Sequence, residues 1–220
     1  MEQQKQAFIL SYLPTFSPCQ RRPQPAGEED FAGISRKLGR LNQMFGGIGV
    51  SKLEICLVRH ADAVDADGRQ IPNDFQRPLS DKGETQAKLV GKALAAIGWK
   101  PHLLLHSPLV RTAQTAGLMA KGAHKLDVSW REESFAPLAS GMGSGAVLEA
   151  LRKRGDSGRL ILVGHMPEMA EVAAWLLGTE PEAVHFPKAG AMLLSCPLGI
   201  QQGMARMEWF TNPAWHELAD

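Results

Sequence analysis

The sequence is poor in the features that mark special environments. Its 220 residues include three cysteines, Cys19, Cys56 and Cys196. An odd, scattered set with no metal-type spacing excludes a disulfide framework and a thiolate metal site, and reads as free thiols in a reducing compartment. An excess of one charge is also missing, since 24 Lys+Arg against 23 Asp+Glu leave a formal net charge of +1. Nothing global therefore favours a nucleic acid or an acidic membrane as partner, and any preference for anions must be local. No apolar run approaches the ~20 residues a membrane span requires. The opening MEQQKQAFILSYLPTF places an acid at Glu2 and Pro14 inside its apolar stretch, with no clear small-residue cleavage site. A cytoplasmic protein is expected, not a secreted one. The GGIG of Gly46 to Gly49 lacks the Lys-Ser/Thr that would make it a phosphate loop. No internal repeat or low-complexity tract is present.

What is present is the composition of a soluble globular protein, 44% hydrophobic and 21% charged. Residues 1–50 stand apart as an N-terminal extension. Pro14, Pro18, Pro23 and Pro25 make its first part extended or disordered. Phe31, Ile34, Leu38, Leu41 and Phe45 then recur at helical spacing, which suits a short amphipathic helix docked on the domain.

A single domain over 51–220 follows. LEICLV (53–58) is the nearly continuous apolar run of a strand covered on both faces. Ser80 is placed to cap a helix whose apolar stripe is Ala87, Val90, Gly91, Leu94 and Ile97, with Glu84 and Lys88 paired outside and Gly98 as stop. HLLLHS (102–107) is a second strand, and Ser107-Pro108 should open a helix to about residue 121. A helix over 144–154, a third buried strand in RLILVG and a helix opened by Met166-Pro167 come next. AMLLSC and ARMEWF read as an antiparallel edge pair. Strands alternating with helices imply a three-layer α/β/α sandwich with a mostly parallel sheet.

Ligands of such sheets sit beyond the carboxyl ends of the strands, where helices begin. Three strands end there in polar groups: Arg59 and His60, then Ser107 with Arg111 shortly after, then His165. Helix N-termini favour anions, and two arginines add permanent charge in a geometry suited to phosphate oxygens. A neutral imidazole can attack phosphorus, and a protonated one can stabilise the charge being transferred. Such a pocket needs no metal or other cofactor. His60, Asp62 and His165 are also possible metal ligands, but the neighbouring arginines would repel a cation.

LVRHADA, LLLHSPLVRTAQTA and LILVGHMPEM, in that order, resemble the histidine phosphatase superfamily, the phosphoglycerate mutase-like group. RPLSDKG (77–83) adds a likeness to its small SixA-type phosphohistidine phosphatases. The similarity runs from about Leu53 to Trp209, and nothing in the first 50 residues takes part. The resemblance implies a phosphoglycerate mutase-like fold, with His60 as nucleophile and Arg59, Arg111 and His165 completing the phosphate pocket. Two departures stand out. Ala61 replaces the glycine of the usual Arg-His-Gly, which is tolerable if φ there is negative. The catalytic Glu that many relatives carry on a central insertion has no clear counterpart in the short VSWREESFAPLASG. Asp62, Glu132 and Glu133 are the candidates, or no acid at all.

An alkoxide leaving group needs a proton, whereas a protonated imidazole leaves readily. A short chain with no evident acid therefore suits phosphohistidine on a protein. The alternatives are a small phosphorylated metabolite as substrate or, from a different class, a non-catalytic phosphate-binding module. The latter should have lost the nucleophile or an arginine, and neither is lost. Because every proposed site residue follows the extension, a chain beginning at Gly49 is expected to keep its turnover rate. A folded truncation that loses most of its activity would contradict this division.

Overall fold

The computed structural model describes residues 53–65 and 73–213; the N-terminal extension and its expected helix lie outside them. Six strands form one sheet: β1 (Leu53–Arg59), β2 (Leu103–His106), β3 (Arg131–Ser134), β4 (Gly158–Gly164), β5 (Ala191–Cys196) and β6 (Arg206–Thr211). Their order is β3-β2-β4-β1-β5-β6. The first four are mutually parallel, β5 runs antiparallel to β1, and β6 antiparallel to β5. The four long helices are α1 (Asp81–Ala96), α2 (Val110–His124), α3 (Gly143–Arg154) and α4 (Glu168–Leu177).

Alternation along the strands builds two cores. Ile55 and Leu57 of β1, Leu105 of β2 and Leu162 of β4 face one side, against Leu148 of α3 and Val172 of α4. Cys56, Val58, Leu104 and Ile161 face the other, against Val90 of α1 and Met119 of α2. Strands buried on both faces need the continuous apolar runs that the sequence shows. The result is the expected α/β/α sandwich. Cys56 and Cys196 are free, buried thiols, and burial raises the pKa of both.

Several local expectations hold. Ser80 caps α1, its hydroxyl accepting from the Gly83 amide at 3.1 Å. Glu84 and Lys88 pair at 3.2 Å, and Gly98 ends the segment at φ +71°. Two differ. The expected cap at Ser107 is replaced by Leu109, which is extended and caps α2 without a side-chain bond. The chain needs two more residues to turn out of the sheet, so Arg111 becomes the second residue of the helix instead of lying deeper in it. The second is a strand absent from the expected order, β3. It is a charged strand, REES, on the sheet edge, where strands need no apolar alternation.

The α1–α2 contact is backbone against backbone. A Cβ on Gly91 would lie 1.9 Å from the Met119 carbonyl oxygen. Main chain cannot move aside as a flexible side chain would. Gly91→Ala should therefore cost about 2 kcal/mol or more, lowering the thermal midpoint by several degrees. An unchanged midpoint would show that the two helices slide apart freely.

Candidate active site

The strand order places β4 between β1 and β2, so the ends of these three strands lie side by side. Arg59 is level with Gly164, and His106 with Val163. His60 is held by its main chain from both sides: its amide donates to the Gly164 carbonyl at 2.8 Å, and its carbonyl accepts from the Ala189 amide at 3.0 Å.

The ring of His60 is buried, and its Nδ1 lies 2.7 Å from the Ala61 carbonyl oxygen. A carbonyl only accepts, so Nδ1 carries the proton and Nε2 keeps its lone pair. Burial lowers the pKa of His60 to about 4, and the charges of Arg111, Arg59 and His165 push the same way, against the Ala61 hydrogen bond. The ring is thus neutral at neutral pH. Ala61 itself is buried, and its amide donates to Thr115 Oγ1 at 3.1 Å. The non-glycine residues with positive φ among those described are Asp127 and Ala189, so Ala61 meets the condition under which glycine is not needed.

Two guanidinium groups flank this ring electrostatically. Arg59 donates from Nη1 to the Phe186 carbonyl at 2.7 Å. Arg111 is only 5% exposed and donates from Nη1 to the Asp74 carbonyl at 2.6 Å and from Nη2 to Asp74 Oδ2 at 2.9 Å. Arg77 of the RPLS stretch holds the same Asp74 through Oδ1 at 2.9 Å. Hydrogen bonds from Arg77 and then Arg111 keep Asp74 below the usual carboxylate range. The Nε atoms of Arg59 and Arg111 are buried without any acceptor. Buried N–H groups are normally satisfied, and a tetrahedral oxyanion could supply the missing acceptors.

His165 follows β4. Its Nε2 donates to the Leu138 carbonyl at 2.8 Å, and its Nδ1 lies 3.4 Å from Glu168 Oε2. Ser107 is fully buried at the end of β2, its Oγ 3.4 Å from the Leu109 amide. Arg59, His60, Arg111 and His165 thus share one electrostatic environment, with Ser107 at the end of β2, its amide donating to the Val163 carbonyl of β4 at 3.0 Å.

The acid candidates named from sequence have other partners. Asp62 accepts from Ser80 Oγ at 2.6 Å and from Lys188 Nζ at 2.6 Å. The Lys188 hydrogen bond, then that of Ser80, holds it below the usual carboxylate range, so it has no proton to give. Its evident work is to tie the segment after β1 to α1 and to the segment before β5. Glu133 pairs with Arg154 at 2.8 Å on the edge strand. Glu132 sits beside Gly117, midway along α2. The carboxylate that does meet the site is Glu168, on the first turn of α4 and 6% exposed. Sequence reasoning passed over it because an acid in a helix's first turn is ordinary. Its spacing of three from His165 was the available signal.

A family model described as histidine phosphatase superfamily (branch 1) matches residues 55–139, which hold the first two of these strand ends. An uncharacterised protein of Picosynechococcus sp. is 32% identical over 163 residues, 73% of this chain and 92% of its own. Among solved structures, the SixA protein of Agrobacterium tumefaciens superposes with a TM-score of 0.61 at 22% identity, covering 73% of this chain and 97% of that one. A protein histidine phosphatase SixA complexed with tungstate gives the same values, TM-score 0.61, 22% identity, 73% and 97% coverage. These structures share the fold. With a relative aligned over most of its own length and a family match across the first two strand ends, the chain belongs to branch 1 of the histidine phosphatase superfamily.

Proposed function

We propose that this phosphatase removes phosphate from phosphohistidine on a protein, through a covalent intermediate on His60. The observation that carries the reading is the locked ring of His60. Its protonated Nδ1 faces a carbonyl, which leaves the Nε2 lone pair free, and the two guanidinium groups whose charges reach the ring each keep a buried Nε–H without an acceptor. In the first step Nε2 attacks phosphorus while the bond to the leaving nitrogen or oxygen breaks. In the second, water attacks phosphorus and the P–N bond breaks, returning the electron pair to Nε2. Arg59 and Arg111 hold the equatorial oxygens, where charge is spread during the transfer, and His165 completes the phosphate pocket. Ser107 lines the same strand end. No step calls for a metal.

A protein-borne substrate is supported by the short cover over the pocket. Between β3 and α3 there is only a 3-10 turn, Ala136–Leu138, and a few further residues. A phosphohistidine side chain can reach such a site from a folded partner. One SixA structure of this fold is complexed with tungstate, a tetrahedral oxyanion, which supports a phosphate-sized site here. The second reading, a small-molecule phosphomonoesterase, gains support from the buried Glu168 beside His165. A binding module without catalysis has no need of a nucleophile kept neutral.

A panel of phosphohistidine protein, phosphoramidate and sugar phosphates, assayed with excess chelator, decides between the readings. Phosphohistidine protein should give the highest kcat/KM. A clear preference for a sugar phosphate would favour the second reading, and loss of all activity on chelation, restored by a divalent ion, would overturn the pocket described.

The pH dependence follows from the sign of the shift at His60. Protonating Nε2 removes the lone pair, and the lowered pKa of about 4 postpones that loss to lower pH. In the free enzyme, kcat/KM should hold down to about pH 5 and fall only below it. An acid limb near the ordinary histidine value would mean that the ring is more exposed and less crowded by charge than described.

A further inference from the structure

Among the described residues, Glu168 stands out as a buried carboxylate with an oxygen that has no hydrogen bond. Its Oε2 is sealed from solvent and unbonded, while Oε1 accepts from the Gly141 amide at 3.4 Å. A buried, unsatisfied carboxylate oxygen is costly unless something compensates it. The carboxylate lies 3.4 Å from His165 Nδ1, off the line of a hydrogen bond. The Leu138 carbonyl can only accept, so His165 Nε2 is already protonated. A nearby carboxylate charge favours a proton on Nδ1 as well, and because it is off that line the Nδ1–H stays free to point elsewhere. With Nε2 committed to Leu138, Nδ1 is also the ring nitrogen left for substrate.

Resting on the phosphatase reading, we propose that Glu168 keeps His165 protonated at Nδ1 and that this proton goes to the leaving group when that group is an alkoxide. Glu168 is a positioning residue: it acts through His165 and keeps the proton on Nδ1. In the first half-reaction, the His60 Nε2–P bond forms and the P–O bond to the alcohol breaks. The departing oxygen takes the proton from His165 Nδ1. In the second, water gives its proton to Nδ1 as its oxygen attacks phosphorus and the P–N bond breaks. The sum is ester plus water to alcohol plus phosphate, and the pair ends as it began. The other titratable groups of the pocket are the neutral His60 and Arg59 at the end of β1 and Arg111 on α2. The two guanidinium groups are taken up with phosphate oxygens in this reading and do not replace the acid.

The test compares two substrates on the full-length protein. p-Nitrophenyl phosphate has a leaving group that needs no proton, whereas glycerol 3-phosphate has one that does. Glu168→Gln should lower kcat for glycerol 3-phosphate by about 100-fold and slow p-nitrophenyl phosphate by at least tenfold less. Equal losses on both substrates, or no loss on either, would overturn the inference. Should the variant fail to fold, the wild type supplies the answer: raising the pH should depress glycerol 3-phosphate turnover before p-nitrophenyl phosphate turnover. Parallel profiles would overturn the inference. If the wild type hydrolyses neither ester but does release phosphate from phosphohistidine protein, this inference fails and the phosphatase reading stands. If it hydrolyses none of the three, the phosphatase reading fails.

Discussion

The site depends on one short hydrogen bond, from His60 Nδ1 to the Ala61 carbonyl at 2.7 Å. It fixes which nitrogen bears the proton and so which one can attack. An acceptor that turned away would leave the ring free to change tautomer, and the Nε2 lone pair would be lost whenever that nitrogen took the proton. Much of the surrounding structure holds that carbonyl and that ring still. The Ala61 amide donates to Thr115 Oγ1, and the same hydroxyl donates to the Arg111 carbonyl at 2.6 Å. The peptide that orients the His60 ring is therefore tied to the helix turn that presents an arginine. Gln114, beside Thr115, accepts from the Leu79 amide at 2.8 Å, and Gln86 accepts from the Asp62 amide at 3.1 Å. The Arg-x-x-Gln-Thr run after the second strand thus serves the first strand's ending.

Charge is placed with similar economy. Two guanidinium groups near a histidine repel one another, and acceptors must hold each in place against that repulsion. Arg59 is anchored on the Phe186 carbonyl and Arg111 on both the carbonyl and the carboxylate of Asp74. Arg77 fixes Asp74 in turn. The arrangement orients Arg111 without cancelling the field at His60, whose ring still feels Arg111, Arg59 and His165.

The parts legible in the sequence were those that an apolar period or a cap declares. β1, β4 and β5 are continuous apolar runs, and α1 has its serine cap, so the strand ends carrying Arg59, His60 and His165 were found at once. β3 was not, because an edge strand of charged residues lacks any buried period. The start of α2 was misplaced by two residues, since the serine that resembles a cap is packed into the strand end instead. Asp62 is close to His60 in sequence but not in function. Lys188, which saturates it, lies 126 residues away, and no local pattern announces that pairing. Glu168 has the opposite history. It is near His165 in sequence, but only burial and the missing hydrogen bond separate it from an ordinary helix-start acid.

The central claim is that the phosphoryl group passes through Nε2 of His60. It is tested most directly by mixing the enzyme with substrate, quenching in alkali where phosphohistidine survives, and locating the phosphate by peptide mass analysis and phosphorus NMR. The account predicts one phosphate, on His60, with the chemical shift of an Nε2 adduct. Phosphate on His165, on Nδ1 of His60, or on no residue during steady turnover would contradict it.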